Sequence, residues 1–385
     1  MDISIILKHT GDKMKKMITI PIIVVFSLIT AFITAGACTH ISLKGVDGTT
    51  VSGRTMEWAG FDMEMRLRVI PRNAKLKSLP MTDKKLGMHW KAKYGFVGVD
   101  MMKMSFDEAM NEKGLSSQSL YLPGFAKYQE YNPAQAANSI TAPDFNKWIV
   151  SQFATVDEVR SVLKRGKVRI VPFIHPAFGG SIPLHWAITD ASGKEIVVEY
   201  VDGKLHIYDA PLGVMTNSPP YPWHLTNLRN YLNIRSVDWK QVKIDSMTIR
   251  PIGAGSALLG IPGDFTPPSR FIRAVAFKQT ARKTKGGYDT VTELFRILDN
   301  FNVPAEKVDP NALKKMGLKP LPYGGTQYTC ACDLKNLIYY YHTDNDRSVR
   351  KVDLKKIDFT SLKKPFTMSL RGNRNDPIDV TSKIK

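Results

Sequence analysis

Cysteine is scarce in this chain: 385 residues carry only Cys38, Cys330 and Cys332. An odd, small number argues against a disulfide framework. Acids are scarce too, with 35 Asp and Glu against 54 Lys and Arg, for a formal net charge of +19. No G-x-x-x-x-G-K-[ST] run is present, which excludes the common phosphate loop. No G-x-S-x-G elbow is present either, since Ser256 sits in "GAGSA" with the wrong spacing. No Cys or His at ligand spacing joins Cys330 and Cys332, so neither a metal nor a cofactor is expected. Beyond residue 37 no apolar run reaches the ~18 residues of a membrane span. What remains, 43% hydrophobic and 23% charged, is the composition of a folded protein with a sizeable core.

The N-terminus is the most readable segment. Lys8, Lys13, Lys15 and Lys16 form a basic region, and the 16 residues 18–33 that follow carry no charge. That run is short for a membrane span. Ala35-Gly36-Ala37 then supplies the small-residue pattern that a signal peptidase accepts. Residues 1–37 are therefore expected to be a signal peptide, and the stretch from Met14 is a complete one alone. A retained membrane anchor is the rival reading. Loss of this segment, with its four Lys and two Asp, lowers the formal charge from +19 to +17. Residues 38–385 are expected to form one exported domain, periplasmic or secreted.

Along that domain, "CTHISLKG" alternates, with Ile41 and Leu43 on one face and Cys38, His40 and Ser42 on the other. A second strand begins at Thr49, and "KGVDG" between the two predicts a hairpin. "YGFVGVDMM" and "GLSSQSLYLPG" read as strands bracketing "SFDEAMNEKG". "APDFNKWIVSQFATVDEVRSVLKRG" has helical spacing, with Asp144 and Thr155 as N-caps, Glu158 completing a capping box and Gly166 as the stop. "PLHWAITDASGKEIVVEYVDGKLHIYD" reads as a strand meander, and "HLTNLRNYL", "SRFIRAVAFKQTA" and "VTELFRILDNF" as helices. "TQYTCACDLKNLIYYYHTD" reads as a final hairpin. Residues 71–93 and the Gly- and Pro-rich stretch around 250–270 read as irregular.

Cys38 is the residue with the most chemistry to offer. A cut after Ala37 gives it a free α-amine, with an ordinary pKa of about 7.7–8.0. Nucleophile and base then sit on one residue. A lipid-anchored cysteine also occupies that position, although Ala35 stands where such a motif wants a larger apolar residue. From residues 1–45 alone, nucleophile, lipid anchor and ordinary exposed thiol all stand. His40 shares the face of Cys38, but same-face Cα atoms lie ~6.6 Å apart along a strand. It is expected to be packed or hydrogen-bonded rather than a base for the thiol. Cys330 and Cys332 have the same spacing, at the upper limit for a disulfide, and are expected to be buried free thiols.

Four segments taken together carry a family resemblance: "CTHISLKGVDGTTVSGRTMEW", "AMNEKGLSSQSLYLPG", "PLHWAITDASGKEIVVEYVDGKLHIYDAPLGVMTNSPPYPWHLTNLRNY" and "GIPGDFTPPSRFIRAVAF". The chain resembles the choloylglycine hydrolases, which include bile salt hydrolases and penicillin V acylases. The resemblance implies an α+β fold, the four-layer αββα sandwich of N-terminal nucleophile hydrolases. It implies Cys38 as nucleophile and Arg54 as its catalytic arginine. It places the oxyanion asparagine at Asn217, a second arginine at Arg270, and a second oxyanion donor at the Tyr121 backbone N–H. Where the family has Asp, this chain has Glu57, whose extra methylene changes reach by about 1.5 Å. Trp58, next to it, resembles the Gram-negative penicillin V and acyl-homoserine lactone acylases. The implied reaction is hydrolysis of a linear N-acyl amide through a thioester. Conjugated bile salts rank first as substrates, then penicillin V, then acyl-homoserine lactones. Relatives imply a homo-oligomer, a tetramer or dimer. A non-catalytic or lipid-anchored binding protein on the same fold is the alternative, motivated by Glu57 and by the position of Cys38.

The basic clusters need a separate reading. Lys75, Lys77, Lys84, Lys85, Lys91 and Lys93 form one, and Lys355, Lys356, Lys363 and Lys364 belong to another. No aromatic-plus-basic module accompanies them, so nucleic acid is not expected as a partner. A solvated surface remains, or attraction to an anionic membrane or to an acidic substrate.

Overall fold

The computed structural model describes residues 37–381, apart from 59, 85, 176–178, 304–308, 322, 323 and 373–377. The apolar run 18–33 and the rest of 1–36, and Lys85, lie outside the described residues.

Two antiparallel sheets dominate the described residues. The first holds β1 (Thr39–Lys44), β2 (Thr50–Trp58), β14 (Val214–Met215), β17 (Gly325–Asp333), β18 (Ile338–Thr343) and β19 (Arg350–Asp353), in the order β14-β1-β2-β17-β18-β19. The second holds β3 (Arg66–Ile70), β6 (Phe96–Met101), β7 (Ser105–Asn111), β8 (Leu115–Tyr121), β11 (Leu184–Asp190), β12 (Glu195–Val201), β13 (Lys204–Asp209) and β20 (Phe366–Ser369). Their order is β13-β12-β11-β8-β7-β6-β3-β20. Three two-stranded ribbons complete the strands: β4 (Lys75–Lys77) with β5 (His89–Lys91), β9 (Ser139–Thr141) with β10 (Arg169–Val171), and β15 (Val242–Ile244) with β16 (Met247–Ile249).

Helices cover the outer face of each sheet, which makes the four layers. Helices α1 (Phe145–Gln152) and α2 (Val156–Arg165) bury Phe145, Trp148, Ile149, Val159 and Leu163 against Trp186, Ile188, Ile196 and Val198 of the second sheet. After α3 (Tyr221–Leu228), helices α4 (Pro267–Thr280) and α5 (Gly287–Leu298) pack on the first sheet. Gly53 of β2 permits this approach, because a Cβ there would lie 2.8 Å from Leu294 of α5 and 2.5 Å from the Cys330 carbonyl oxygen. The apolar cores therefore lie between sheet and helix. The layer between the two sheets is polar, bridged by Arg54–Asp107, Tyr339–Glu108, Ser52–Ser116 and His40–Gln118. Such a layer is stable only when its polar groups find partners, so it fixes geometry more than it adds stability.

Thr155 caps α2, its hydroxyl accepting from the Glu158 N–H, and Gly166 closes the helix at φ 63°. Asp144 does not cap with its side chain. Its buried carboxylate instead accepts from Ser78, Thr141 and the Leu79 N–H and pairs with Lys147. The expected helical stretch is two helices, broken at Phe153–Thr155. Residues 71–93 are less irregular than expected, since they contain the β4–β5 ribbon. The stretch before 250 contains the β15–β16 ribbon, which alternation did not reveal. No helix among the described residues is long and apolar enough to cross a membrane.

Candidate active site

Cys38 stands at the entry to β1, and the register of β1 against β2 sets Thr39 opposite Thr55 and His40 opposite Arg54. The same strand β2 lies beside β17, where Cys330 faces Arg54 and Thr326 faces Glu57. Arg54 is fully buried between the sheets. It donates from Nη2 to Cys38 Sγ at 2.8 Å and to Met56 Sδ at 3.4 Å. Nη1 donates to Asp107 Oδ2 and to the Ser119 carbonyl, and Nε to the Thr55 carbonyl at 3.2 Å. All five guanidinium donors are thus occupied, and one of them is spent on a thiol. Burial works against the Arg54 cation, but Asp107 and the Cys38 thiol outweigh it and hold its pKa above the usual value.

Cys38 itself is 2% exposed. Burial raises its thiol pKa, Arg54 pulls it down, and Glu57 and Asp107 push it up. A thiol held this way needs a further positive charge to become a ready thiolate.

Arg270 of α4 forms the second clamp. Its Nη1 donates to the Cys38 carbonyl at 2.5 Å and to Thr39 Oγ1 at 3.0 Å. Its Nη2 donates to Asn217 Oδ1 at 2.6 Å. Arg270 can only donate, so it fixes which way the Asn217 amide points. Asn217 Nδ2 then donates to the Tyr121 carbonyl at 2.7 Å. One of its two N–H bonds is left for another acceptor. The backbone on either side is pinned by imidazoles: His185 Nε2 contacts the Thr216 carbonyl at 2.8 Å, and His224 Nε2 the Asn217 carbonyl at 2.9 Å. Burial lowers His224 to about 4, which keeps it neutral. Burial also lowers Arg270 to about 10, so it stays charged at neutral pH. Tyr121 meets Trp58 edge to face, with ring centroids 5.2 Å apart.

Glu57 is buried, and Thr326 Oγ1 donates to its Oε1 at 2.8 Å. Its Oε2 has no hydrogen-bond partner among the described residues; the Thr55 hydroxyl is near but short of hydrogen-bond geometry. Burial pushes this carboxyl up to about 7, with Thr55, Arg270 and Thr326 pulling the other way. The ordinary value is 4.5. Between about pH 4.5 and 7 the folded chain therefore binds one proton more than the unfolded chain, and stability falls as pH rises. The loss across that window is roughly 3 kcal/mol. In the chain that retains Ala37, Glu57→Gln is expected to flatten the fall of Tm over the same window. Parallel Tm curves for wild type and variant would refute this assignment.

Cys38, Arg54, Glu57, Trp58, Tyr121, Asn217 and Arg270 thus form one connected group. His40 turns away from the thiol, with Nδ1 2.7 Å from Gln118 Oε1 and Nε2 3.0 Å from Glu195 Oε1. Cys330 and Cys332 are buried free thiols. Ser256 donates to Asp238 in the segment before α4. Asp107, Ser119, Tyr328 and Thr326 were not anticipated. Two β-bulges bring three of them in. On β7, Phe106 pairs with Asp100 and Glu108 with Val99, so Asp107 is the extra residue. On β17, Thr326 pairs with Glu57 and Tyr328 with Met56, so Gln327 is the extra one. Tyr328 then donates to Asp107 Oδ2 at 3.0 Å. A break in strict alternation is the only sequence trace of either bulge.

The family described as linear amide C–N hydrolases, choloylglycine hydrolase family, matches residues 38–373. The chain is 33% identical to a bile salt hydrolase/transferase of Clostridium perfringens over 327 residues, 83% of this chain and 93% of that protein. It is 26% identical to a penicillin V acylase of Pectobacterium atrosepticum over 326 residues, 80% of this chain and 78% of that one. A crystal structure of a conjugated bile acid hydrolase mutant from Clostridium perfringens superposes with a TM-score of 0.72 at 28% identity, covering 89% of this chain and 99% of the other. This sandwich and these matches place the chain in the choloylglycine hydrolase family, and it is a linear amide C–N hydrolase.

Proposed function

We propose that the chain is exported, that residues 1–37 are removed, and that the Cys38 thiolate then opens a linear N-acyl amide, a conjugated bile salt first of all. The observation that carries this reading is the 2.8 Å contact from Arg54 Nη2 to Cys38 Sγ inside a site that also holds Asn217 and Arg270. Removal of Ala37 frees an ammonium group on Cys38, whose thiol already feels the Glu57 carboxylate. That charge favours the thiolate and lowers the Glu57 pKa. Glu57 then orients the amine.

In the proposed reaction the thiolate sulfur bonds to the amide carbon, and the carbonyl electron pair moves onto oxygen. The spare N–H of Asn217 and the Tyr121 backbone N–H stabilise that oxyanion, each worth ~2.7–4 kcal/mol in such sites. The α-ammonium gives a proton to the leaving amine as the C–N bond breaks. Water, losing its proton to the α-amine, hydrolyses the thioester and releases the carboxylic acid. Bile salts rank ahead of penicillin V because the relative at 33% identity carries that activity in its name and the penicillin V acylase stands at 26%. Acyl-homoserine lactones follow, on the strength of Trp58.

The test is turnover of glycocholate, taurocholate, penicillin V and a long-chain acyl-homoserine lactone by the purified exported protein, with its intact mass measured alongside. Hydrolysis of glycocholate or taurocholate by a chain beginning at an unmodified Cys38 is the expected result. Turnover of none of the four, or a diacylglyceryl adduct on Cys38, would overturn the reading. Fractionation of the producing cells checks the proposed periplasmic or secreted location.

We also propose a homo-oligomer built through the β15–β16 ribbon. Every residue of both strands is exposed, including Val242 at 55% and, directly opposite it, Ile249 at 47%. An isolated two-stranded ribbon is at best marginally stable in water, so a second copy is its natural cover. The double variant Val242→Asp/Ile249→Asp is expected to sediment as a smaller species than wild type, and an unchanged mass would count against the ribbon as interface. The exposed lysines Lys75 and Lys91, paired across β4–β5, support the proposed attraction to anionic membrane surfaces. Binding to anionic vesicles should then fall with salt.

A further inference from the structure

At the Lys44 end of β1, opposite to Cys38, the sandwich opens into a groove of about 530 Å³. Ser42, Lys44, Arg160, Lys194, Glu195 and Lys278 contribute to its walls. The charges there are sorted unevenly. Arg160 pairs with Asp209, Lys194 with Asp157, and Glu195 with His40. Lys44 and Lys278 have no hydrogen-bonded carboxylate among the described residues. Lys278 is half-buried, and burial lowers its pKa even with Glu195 nearby. Each ammonium lies over a glycine with left-handed backbone. A Cβ on Gly213 would fall 2.3 Å from Lys278 Nζ and 2.2 Å from Ser42 Oγ, and one on Gly193 would fall 3.5 Å from Lys44 Nζ. The backbone thus leaves room for two cations and a hydroxyl around one concave space.

Three chain segments lead from this groove to the candidate active site. Strand β1 runs from Ser42 to Cys38, and residues 213–217 run from Gly213 to Asn217, each spanning ~13 Å at strand rise. Helix α4 runs from Lys278 to Arg270, ~12 Å at helical rise. The three are joined at the groove, where the Ser42 N–H donates to the Gly213 carbonyl at 2.8 Å. They are joined again at the other end, where Arg270 holds both the Cys38 carbonyl and Asn217.

We propose that this groove is a second binding site, for a compact oxyanion held by Lys278 and Lys44, and that its occupation is felt at Cys38. A carboxylate, sulfonate or phosphate group offers the required chemistry: several acceptor oxygens and a negative charge facing two ammonium groups. Occupation draws β1, the 213–217 segment and α4 toward one ligand, and their far ends carry the thiol, the Asn217 amide and its clamp. The binding part stands apart from the proposed role of Cys38; the kinetic part rests on it.

The experiment is calorimetric titration with inorganic phosphate at constant ionic strength, with taurine and acetate as sulfonate and carboxylate arms. It uses wild type, Lys278→Met, Lys278→Arg and Cys38→Ser. Phosphate is expected to bind wild type and Cys38→Ser equally, Lys278→Met about tenfold or more weakly, and Lys278→Arg with most of the affinity kept. Amide turnover by wild type is expected to change at least about twofold in kcat/KM at saturating phosphate, a coupling at the small end of the usual range, and turnover by Lys278→Met to ignore phosphate. Equal binding by Lys278→Met and wild type, or binding with no change in wild-type turnover, would overturn the proposal. Equal binding by Cys38→Ser with full amidase activity would sink the nucleophile assignment and leave the anion site standing.

Discussion

Cys38→Ser is expected to cut amide hydrolysis by about 10⁴-fold or more while leaving the fold intact. Loss of a nucleophile that works as one unit with its base removes most of the catalytic effect. A serine hydroxyl ionises far less readily than a thiol, and an α-amine is too weak a base to correct for that. The fold should tolerate the change, because the residue sits at the entry of β1 and its carbonyl, not its side chain, takes the Arg270 bond. The Arg54 donor at the sulfur position can still meet an oxygen. The measurement is kcat on the best of the four amides, with Tm as control. More than about one per cent of wild-type turnover, at unchanged Tm, would show that another group attacks the amide.

Arg54→Met is expected to lose both stability and activity, and the two losses can be separated. Asp107 is buried, and Arg54 is its ion-pair partner among the described residues. Removing one partner of a buried pair typically costs about 3–5 kcal/mol, because the other charge is stranded. The thiol also loses the cation that does most to lower its pKa. In the double variant Arg54→Met/Asp107→Leu the stranded charge is gone, and much of the lost stability should return. Activity should stay low. Urea denaturation and turnover of the two variants decide the matter. Recovery of both in the double variant would make Arg54 purely structural, and recovery of neither would make the pair's burial cost wrong.

The β1–β2 hairpin, the strand meander and the two helices behind the first sheet were legible because periodicity and turn residues agreed there. "CTHISLKG" and "GTTVSGRTMEW" alternate cleanly, and the register between them follows. Strand β20 was not legible. Its partner β3 lies at the opposite end of the chain, Ser369 against Arg66, and four exposed residues carry no burial pattern. Asp144 looked like a cap by position, yet tertiary partners claimed its carboxylate. The residues around Cys38 were legible only through family resemblance. Cys38, Arg54, Asn217 and Arg270 are far apart in sequence, and no local rule joins them. Asp107 escaped even that. It sits in a run whose alternation breaks at the very residue that matters.

That break has an evolutionary side. Each bulge is a counting offset of one residue, at Asp107 in one sheet and at Gln327 in the other. A strand read two by two loses its phase when one residue is removed. Deleting Gln327 would leave every chemical group of the site in the chain and turn Thr326 or Tyr328 to the wrong face. Deleting Asp107 would remove the carboxylate partner of Arg54 itself and shift the phase of the rest of β7. Substitutions along β7 and β17 should therefore be far better tolerated, in a library scored for folding and turnover, than single-residue deletions of equal chemical modesty. The two strands behave as reading frames, and the site is written in the shifted one.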